Sequence, residues 1–164
     1  MIVRDDAAVN RRGEGAAEAW SRVLADISRF DADALISHEF FCSATAEQAE
    51  RMVEQLAPAE VHVVVTAREP LGLFTSSWQE SLKNKSTTRL ADYGLDESDN
   101  PRDVWNWRAL DLGLVLDRWS PAVPDDRMHI VVPTPGGARE ELWRAFCSVL
   151  GLPEDSAEAS GGFS

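Results

Sequence analysis

The sequence predicts an α/β fold built around a mainly parallel sheet, and three observations predict it. Segments of helical period alternate with strand-like runs, in the order helix, strand, helix, strand, helices, strand, helix. Two runs, Val61-His62-Val63-Val64-Val65-Thr66 and Met128-His129-Ile130-Val131-Val132, are rich in β-branched residues and continuous rather than alternating. That is the pattern of strands covered on both faces. Prolines punctuate both ends: Pro70 stands where the first turn of a helix begins, and Pro133 and Pro135 stop the second run.

The elements follow in order. From Glu14 to Phe30, Ala16, Ala19, Trp20, Val23, Leu24, Ile27 and Phe30 recur at helical spacing. Ala34-Leu35-Ile36-Ser37 reads as a short buried strand. Thr45 to Leu56 is a second helix, capped by Thr45 or Ser43, with Glu47 and Gln48 placed to complete a capping box and Pro58 ending it. After the Val61–Thr66 strand, Leu71, Phe74, Thr75, Trp78 and Leu82 continue a helix from Pro70. Thr87 to Tyr93 reads as a short helix capped by Ser86 or Thr87, and Asp96 to Arg102 as a loop. Val104 to Trp119 reads as one long helix with Val104, Trp107, Leu110, Leu114 and Trp119 near one face. Glu140 to Leu150 is the last helix, closed by Gly151. Residues 1–13 read as a poorly ordered lead-in, 14–152 as the domain, and 153–164 as a disordered tail.

The 164 residues suit one domain. Lys plus Arg number 16 against 28 Asp plus Glu, a net charge of −12. That excludes broad nucleic-acid binding, which needs a positive face, and docking on anionic membranes. No apolar run reaches the roughly 18 residues of a membrane span, and the first residues lack the apolar core of a signal peptide. A cytoplasmic location is the expectation. Cys42 and Cys147 read as reduced, buried thiols. His38, His62 and His129 are not spaced for a metal site, and His62 and His129 read as core or edge residues of their strands. Trp20, Trp107, Trp119 and Trp143 fall at helical core positions.

In a parallel sheet, ligands bind beyond the carboxyl ends of the strands. That rule points at Ser37 to Phe41, Thr66 to Pro70 and Pro133 to Gly137. Arg68 projects there beside a helix N-terminus, and both features favour an anion. Ser76 follows eight residues on. Between Arg68 and Arg89, Arg68, Lys83, Lys85 and Arg89 stand against only Glu69 and Glu80, a local excess of two positive charges in an acidic chain. A guanidinium plus a hydroxyl suits a phosphate monoester. The bland reading is that Arg68 pairs with Glu69 or a helix carboxylate. Lys83, Lys85 and Arg89 would steer an anionic cofactor or acceptor, or form a solvated helix end. Trp78 and Trp105 flank the place and would line an acceptor pocket.

The segment from Val63 to Gln79 resembles the 3′-phosphate-binding segment of sulfotransferases, which use 3′-phosphoadenosine 5′-phosphosulfate. In that family a strand ends in an Arg, often followed by an acid and Pro, and a Ser about eight residues on shares the 3′-phosphate. Arg68, Glu69, Pro70 and Ser76 match in order. The likeness extends to an actinobacterial sulfotransferase-like group through Ile36-Ser37-His38-Glu39, Thr66-Ala67-Arg68, Trp78-Gln79-Glu80, Val104-Trp105 with Leu110, Leu116-Asp117-Arg118-Trp119, and Leu142-Trp143 with Phe146. It spans about residues 15 to 152.

The resemblance implies a three-layer, P-loop-type architecture with helices on both faces of the sheet. It also implies sulfuryl transfer from 3′-phosphoadenosine 5′-phosphosulfate to a hydroxyl acceptor, a small molecule or a carbohydrate, leaving adenosine 3′,5′-bisphosphate and needing no metal. Arg68 and Ser76 would hold the 3′-phosphate. Glu39, in the subgroup's Ser-X-Glu pattern, would take the acceptor's proton, with His38 as the alternative base. The family's first strand and its Lys-bearing phosphosulfate loop have no counterpart in this sequence, and neither has its Arg-Lys-Gly motif, where Pro133-Thr134-Pro135-Gly136-Gly137 stands instead. The chain is therefore expected to be the carboxyl-terminal three-quarters of a longer enzyme, its activity doubtful alone. The alternative is a non-catalytic α/β remnant or interaction module that self-associates through an open sheet edge. A hydrolase reading fails for want of a Gly-X-Ser-X-Gly elbow.

Overall fold

A computed structural model describes residues 18–94, 107–134 and 136–156. The predicted lead-in, the loop from Asp96 to Arg102, the start of the first helix and the end of the tail lie outside the described residues. The elements are α1 (Ala19–Ile27), a 3-10 turn (Glu39–Ser43), α2 (Ala46–Leu56), β1 (Val63–Thr66), α3 (Pro70–Lys83), a 3-10 turn (Leu90–Asp92), α4 (Trp107–Leu110), α5 (Leu112–Trp119), a 3-10 turn (Asp125–Arg127), β2 (Met128–Val131) and α6 (Arg139–Leu150). The chain is thus a mixed α/β structure. No helix among the described residues is long and apolar enough to cross a membrane.

β1 and β2 form a parallel two-stranded sheet, with Val63 opposite Met128 and Thr66 opposite Val131. The pairing runs one step further, since Ala67 donates its N–H to the Val131 carbonyl at 2.9 Å. The core lies where α2 and α5 meet the start of the sheet. Ala44, Ala49, Val115, Trp119 and Val123 are buried, with Met52, Val53, Val63 and Met128 packed around them. α2 begins as its sequence dictates: Thr45 accepts from the Gln48 N–H, and Gln48 reaches back to the Thr45 N–H, a complete capping box. α6 ends at Gly151, whose φ of 64° is left-handed backbone that glycine adopts without strain.

Four expectations are corrected. Ala34–Ser37 is not a strand. A strand exists through its partner's hydrogen bonds, and β1 and β2 pair with each other; Leu35 stays 59% exposed. The long helix to Trp119 is two helices. Asp111 adopts extended backbone, and its carboxylate accepts from the Leu114 N–H at 3.1 Å, capping a new helix. The restart shifts the helical phase, so Val115 and Trp119 turn inward, while Leu114 and Trp107 remain 41% and 43% exposed. Thr87–Tyr93 holds only the 3-10 turn at Leu90–Asp92. The Ser86 hydroxyl accepts from the Thr88 N–H two residues on, a local turn that competes with a helix. Finally, α1 stops at Ile27 and leaves Phe30 exposed.

The first residues after α6 are tied down rather than loose. Trp143, half-buried, donates to the Glu154 carbonyl at 2.9 Å, and Arg144 meets the Glu154 carboxylate at 3.3 Å. Trp20 and Trp119 are buried as expected, and the Trp20 indole donates to Gln55 at 2.6 Å.

Candidate functional site

The place marked by Arg68 is built by a strand, a three-residue link and a helix. β1 is short and β-branched, and Pro70 fixes the φ that opens α3. A proline at the first helical position makes residue 69 the N-cap. The Glu69 carboxylate accepts from the Leu71 N–H at 2.8 Å and the Gly72 N–H at 2.6 Å. Those two bonds, Gly72's first, hold its carboxyl below the usual carboxylate range. The helix therefore satisfies its own first donors, and an arriving anion meets the Arg68 side chain rather than bare N–H groups. The signal for this cap, Glu directly before Pro, was present in the sequence, where Glu69 reads instead as a mate for Arg68.

Arg68 is exposed and has no hydrogen bond or ion pair among the described residues. Ser76 is exposed on α3, on one stripe with Gly72, Gln79 and Lys83, spaced four, three and four residues apart. It stands six residues past Pro70, about 9 Å along the helix axis. A phosphate held by both groups needs the Arg68 side chain to lie along α3, and no bond directs it elsewhere.

The wider basic cluster is partly spent. Lys83 is ion-paired with Glu80 at 2.9 Å and Arg89 with Asp92 at 2.6 Å, both within their own elements and exposed. Lys85 sits at a positive φ of 69° in the turn that ends α3. Trp78 is half-buried and donates its indole N–H to the Thr88 carbonyl at 2.8 Å, tying α3 to the following turn. Trp105 lies outside the described residues. On the inner face of α3, Phe74 stacks on Trp107 with ring centroids 5.1 Å apart and touches Tyr93, whose hydroxyl bonds to buried Ser77.

Glu39 and His38 occupy a different element. His38 is the extended residue that caps the 3-10 turn, and its Nδ1 accepts from the Phe40 N–H at 3.2 Å. With that lone pair engaged, the neutral ring carries its hydrogen on Nε2 and presents a donor outward. Glu39, next along, is exposed, and its carboxylate has no hydrogen bond or ion pair among the described residues. The turn is anchored from α5. Arg118 donates from Nε to the Ala44 carbonyl and from Nη2 to the Cys42 carbonyl, each at 2.8 Å, and Trp119 donates to Phe41 at 3.3 Å. α4 touches both this turn and α3, so it bridges the two groups of candidates. No hydrogen bond or ion pair among the described residues joins them directly.

Both cysteines are free thiols. Burial pushes the Cys42 thiol up to about 11, against the opposing pull of Arg118, which leaves it a poor nucleophile. Past the end of β2, the Gly137 N–H donates to the Thr134 carbonyl at 2.8 Å. Val132, at this edge, is 68% exposed. A cleft of about 310 Å³ lies elsewhere, between Glu50, Val53, Glu54, Pro121 and Ala122. Its lining brings two carboxylates, Glu50 and Glu54, which disfavour an anion there. His62 and His129, expected as core or edge residues, meet each other at 2.9 Å near the opposite end of the sheet. Their 67-residue separation hid that contact from any spacing rule.

Compared with known protein families, with curated proteins and with solved structures, the chain matches none.

Proposed function

We propose that this chain is a sulfotransferase-like domain whose Arg68 and Ser76 receive the 3′-phosphate of adenosine 3′,5′-bisphosphate or of 3′-phosphoadenosine 5′-phosphosulfate. One observation carries the reading. Arg68 stands at the carboxyl end of β1 with its donors uncommitted among the described residues, while Glu69, its nearest acid, is engaged by the α3 N-terminus. The order strand, Arg, acid, Pro, helix, Ser is the one the sulfotransferase resemblance supplies. In this reading α2 and α5 form one outer layer of a three-layer architecture, and α6 the other.

The residues present fit the nucleotide in part. Arg68 offers a bidentate fork and Ser76 a hydroxyl, the donor set a phosphate monoester takes. For the phosphosulfate end the sequence offers no Lys-bearing glycine loop. Of the two bases, Glu39 suits the role better. Its oxygens are open acceptors, whereas the His38 Nδ1 lone pair is committed to Phe40.

The test is selectivity for the 3′-phosphate. Adenosine 3′,5′-bisphosphate is expected to bind about 10- to 100-fold more tightly than adenosine 5′-monophosphate, the worth of one or two charge-assisted hydrogen bonds. Equal affinity for the two nucleotides overturns the reading.

A second reading, a non-catalytic interaction module, draws on the exposed apolar side chains of the sheet, Ile130 at 45% and Val132 at 68%. It predicts concentration-dependent self-association by light scattering, reduced by Ile130→Lys, with no nucleotide selectivity.

A further inference from the structure

The amino end of the sheet carries a second arrangement with chemistry of its own. His62 precedes β1 and His129 is the second residue of β2. Their rings are nearly parallel, 6° apart, with Nδ1 of His62 and Nε2 of His129 separated by 2.9 Å. On its other side, His62 Nε2 meets the Glu60 carboxylate at 3.2 Å. A carboxylate accepts only, so the neutral His62 carries its hydrogen on Nε2 and leaves Nδ1 as a lone pair aimed at His129. An imidazole whose far N–H rests on a carboxylate is the arrangement that orients histidine toward a metal and raises its basicity. The His62 side chain is 44% exposed, so an ion has an entry path. Six residues at about 3.3 Å each separate His62 from Arg68, roughly 20 Å, so this place is independent of the nucleotide reading.

We propose that His62 Nδ1 and His129 Nε2 form a two-imidazole site for a divalent transition ion of the Cu2+ or Ni2+ type. With metal–nitrogen bonds of about 2.0–2.1 Å, rings that swing while keeping these nitrogens 2.9 Å apart subtend about 90° at the ion. That is the angle between adjacent ligands in a tetragonal complex, whereas a tetrahedral ion would spread them to about 3.3 Å. Among the described residues no group of three or more His, Cys, Asp or Glu is arranged around a metal, so water fills the remaining positions. Binding breaks the hydrogen bond between the rings. The His129 proton moves through water from Nε2 to its unpartnered Nδ1, each ring swings so that its lone pair faces the ion, and no net proton is released. Cu2+ stands highest in the divalent series for nitrogen ligands.

The experiment titrates the full chain with Cu2+ and follows electron paramagnetic resonance, in the wild type and in His62→Asn, His129→Asn and Glu60→Gln, with circular dichroism confirming the fold of each. One ion per chain with nitrogen splitting from two equivalent imidazoles is expected. Each histidine variant loses the two-nitrogen pattern, and Glu60→Gln keeps it while weakening affinity about tenfold or more. Absence of saturable binding in the wild type overturns the proposal. So does a two-nitrogen pattern that persists in either histidine variant, because ligands other than this pair would then hold the ion.

Discussion

Two arginines separate the region of this chain that is built to hold from the region that is open to receive. Arg118 is half-buried on α5 and gives Nε and Nη2 to the carbonyls of Ala44 and Cys42, cross-linking the helix to the 3-10 turn. Arg68 is exposed at the end of β1 with no such bond among the described residues. A guanidinium has five donors and always carries its charge. Inside a protein those donors must be used, so Arg118 is part of the framework. At a surface they are satisfied by water at no cost, so Arg68 stays ready to exchange water for an anion. The neighbourhoods agree: Arg118 bonds to the carbonyl of buried Ala44, which packs with Ala49 and Trp119, whereas the residues that follow Arg68, Glu69 to Gly72, are exposed.

Truncation is expected to separate the two arginines. Arg118→Ala removes two charge-assisted bonds and strands two carbonyls next to the core, and it is expected to destabilise the chain by about 3 kcal/mol in urea unfolding. Arg68→Ala is expected to change stability by less than about 0.5 kcal/mol.

Between these extremes lies the contact of α3 with α4. Gly94 has a φ of 73°, and a Cβ there would meet the Phe74 ring at 2.8 Å and the Trp107 indole at 3.2 Å. Gly94→Ala combines left-handed strain with displacement of that stack. It is expected to cost about 2 kcal/mol and to alter near-ultraviolet circular dichroism.

How much of this was readable beforehand depends on whether a feature is local. The capping box of Thr45 and Gln48, the start of α3 at Pro70 and the Gly151 terminus need only a few neighbouring residues, and all three are in place. Asp111 was local too, yet the apolar period running through it masked its capping power. Ala34–Ser37 had the composition of a strand without a partner to make it one. Arg118 could be placed on a helix from sequence, but its two carbonyl acceptors lie 74 and 76 residues away. The placement of Arg68 and Ser76 on one strand–loop–helix unit was legible. The commitment of Glu69 to the helix, which leaves Arg68 without a partner among the described residues, depends on the cap geometry and not on composition.

A smaller effect sharpens that last point. The Gly72 and Leu71 N–H groups hold the Glu69 carboxyl below its ordinary 4.5. A carboxylate with a depressed folded value stabilises the protein above the unfolded value, and that contribution is lost as pH falls through the folded one. The difference in melting temperature between wild type and Glu69→Ala is therefore expected to be constant near neutrality and to shrink below pH 4.5. A difference that does not vary across that range would mean the cap is made by something other than the ionised carboxylate.

In the proposed reading the guanidinium of Arg68, without a partner among the described residues, anchors a nucleotide 3′-phosphate at the carboxyl end of β1. Isothermal titration calorimetry of adenosine 3′,5′-bisphosphate into the wild type and into Arg68→Ala tests it directly. Saturable binding by the wild type is predicted, weakened about 10- to 100-fold in Arg68→Ala with the fold unchanged. Binding of equal strength in both proteins, or none in the wild type, would contradict it.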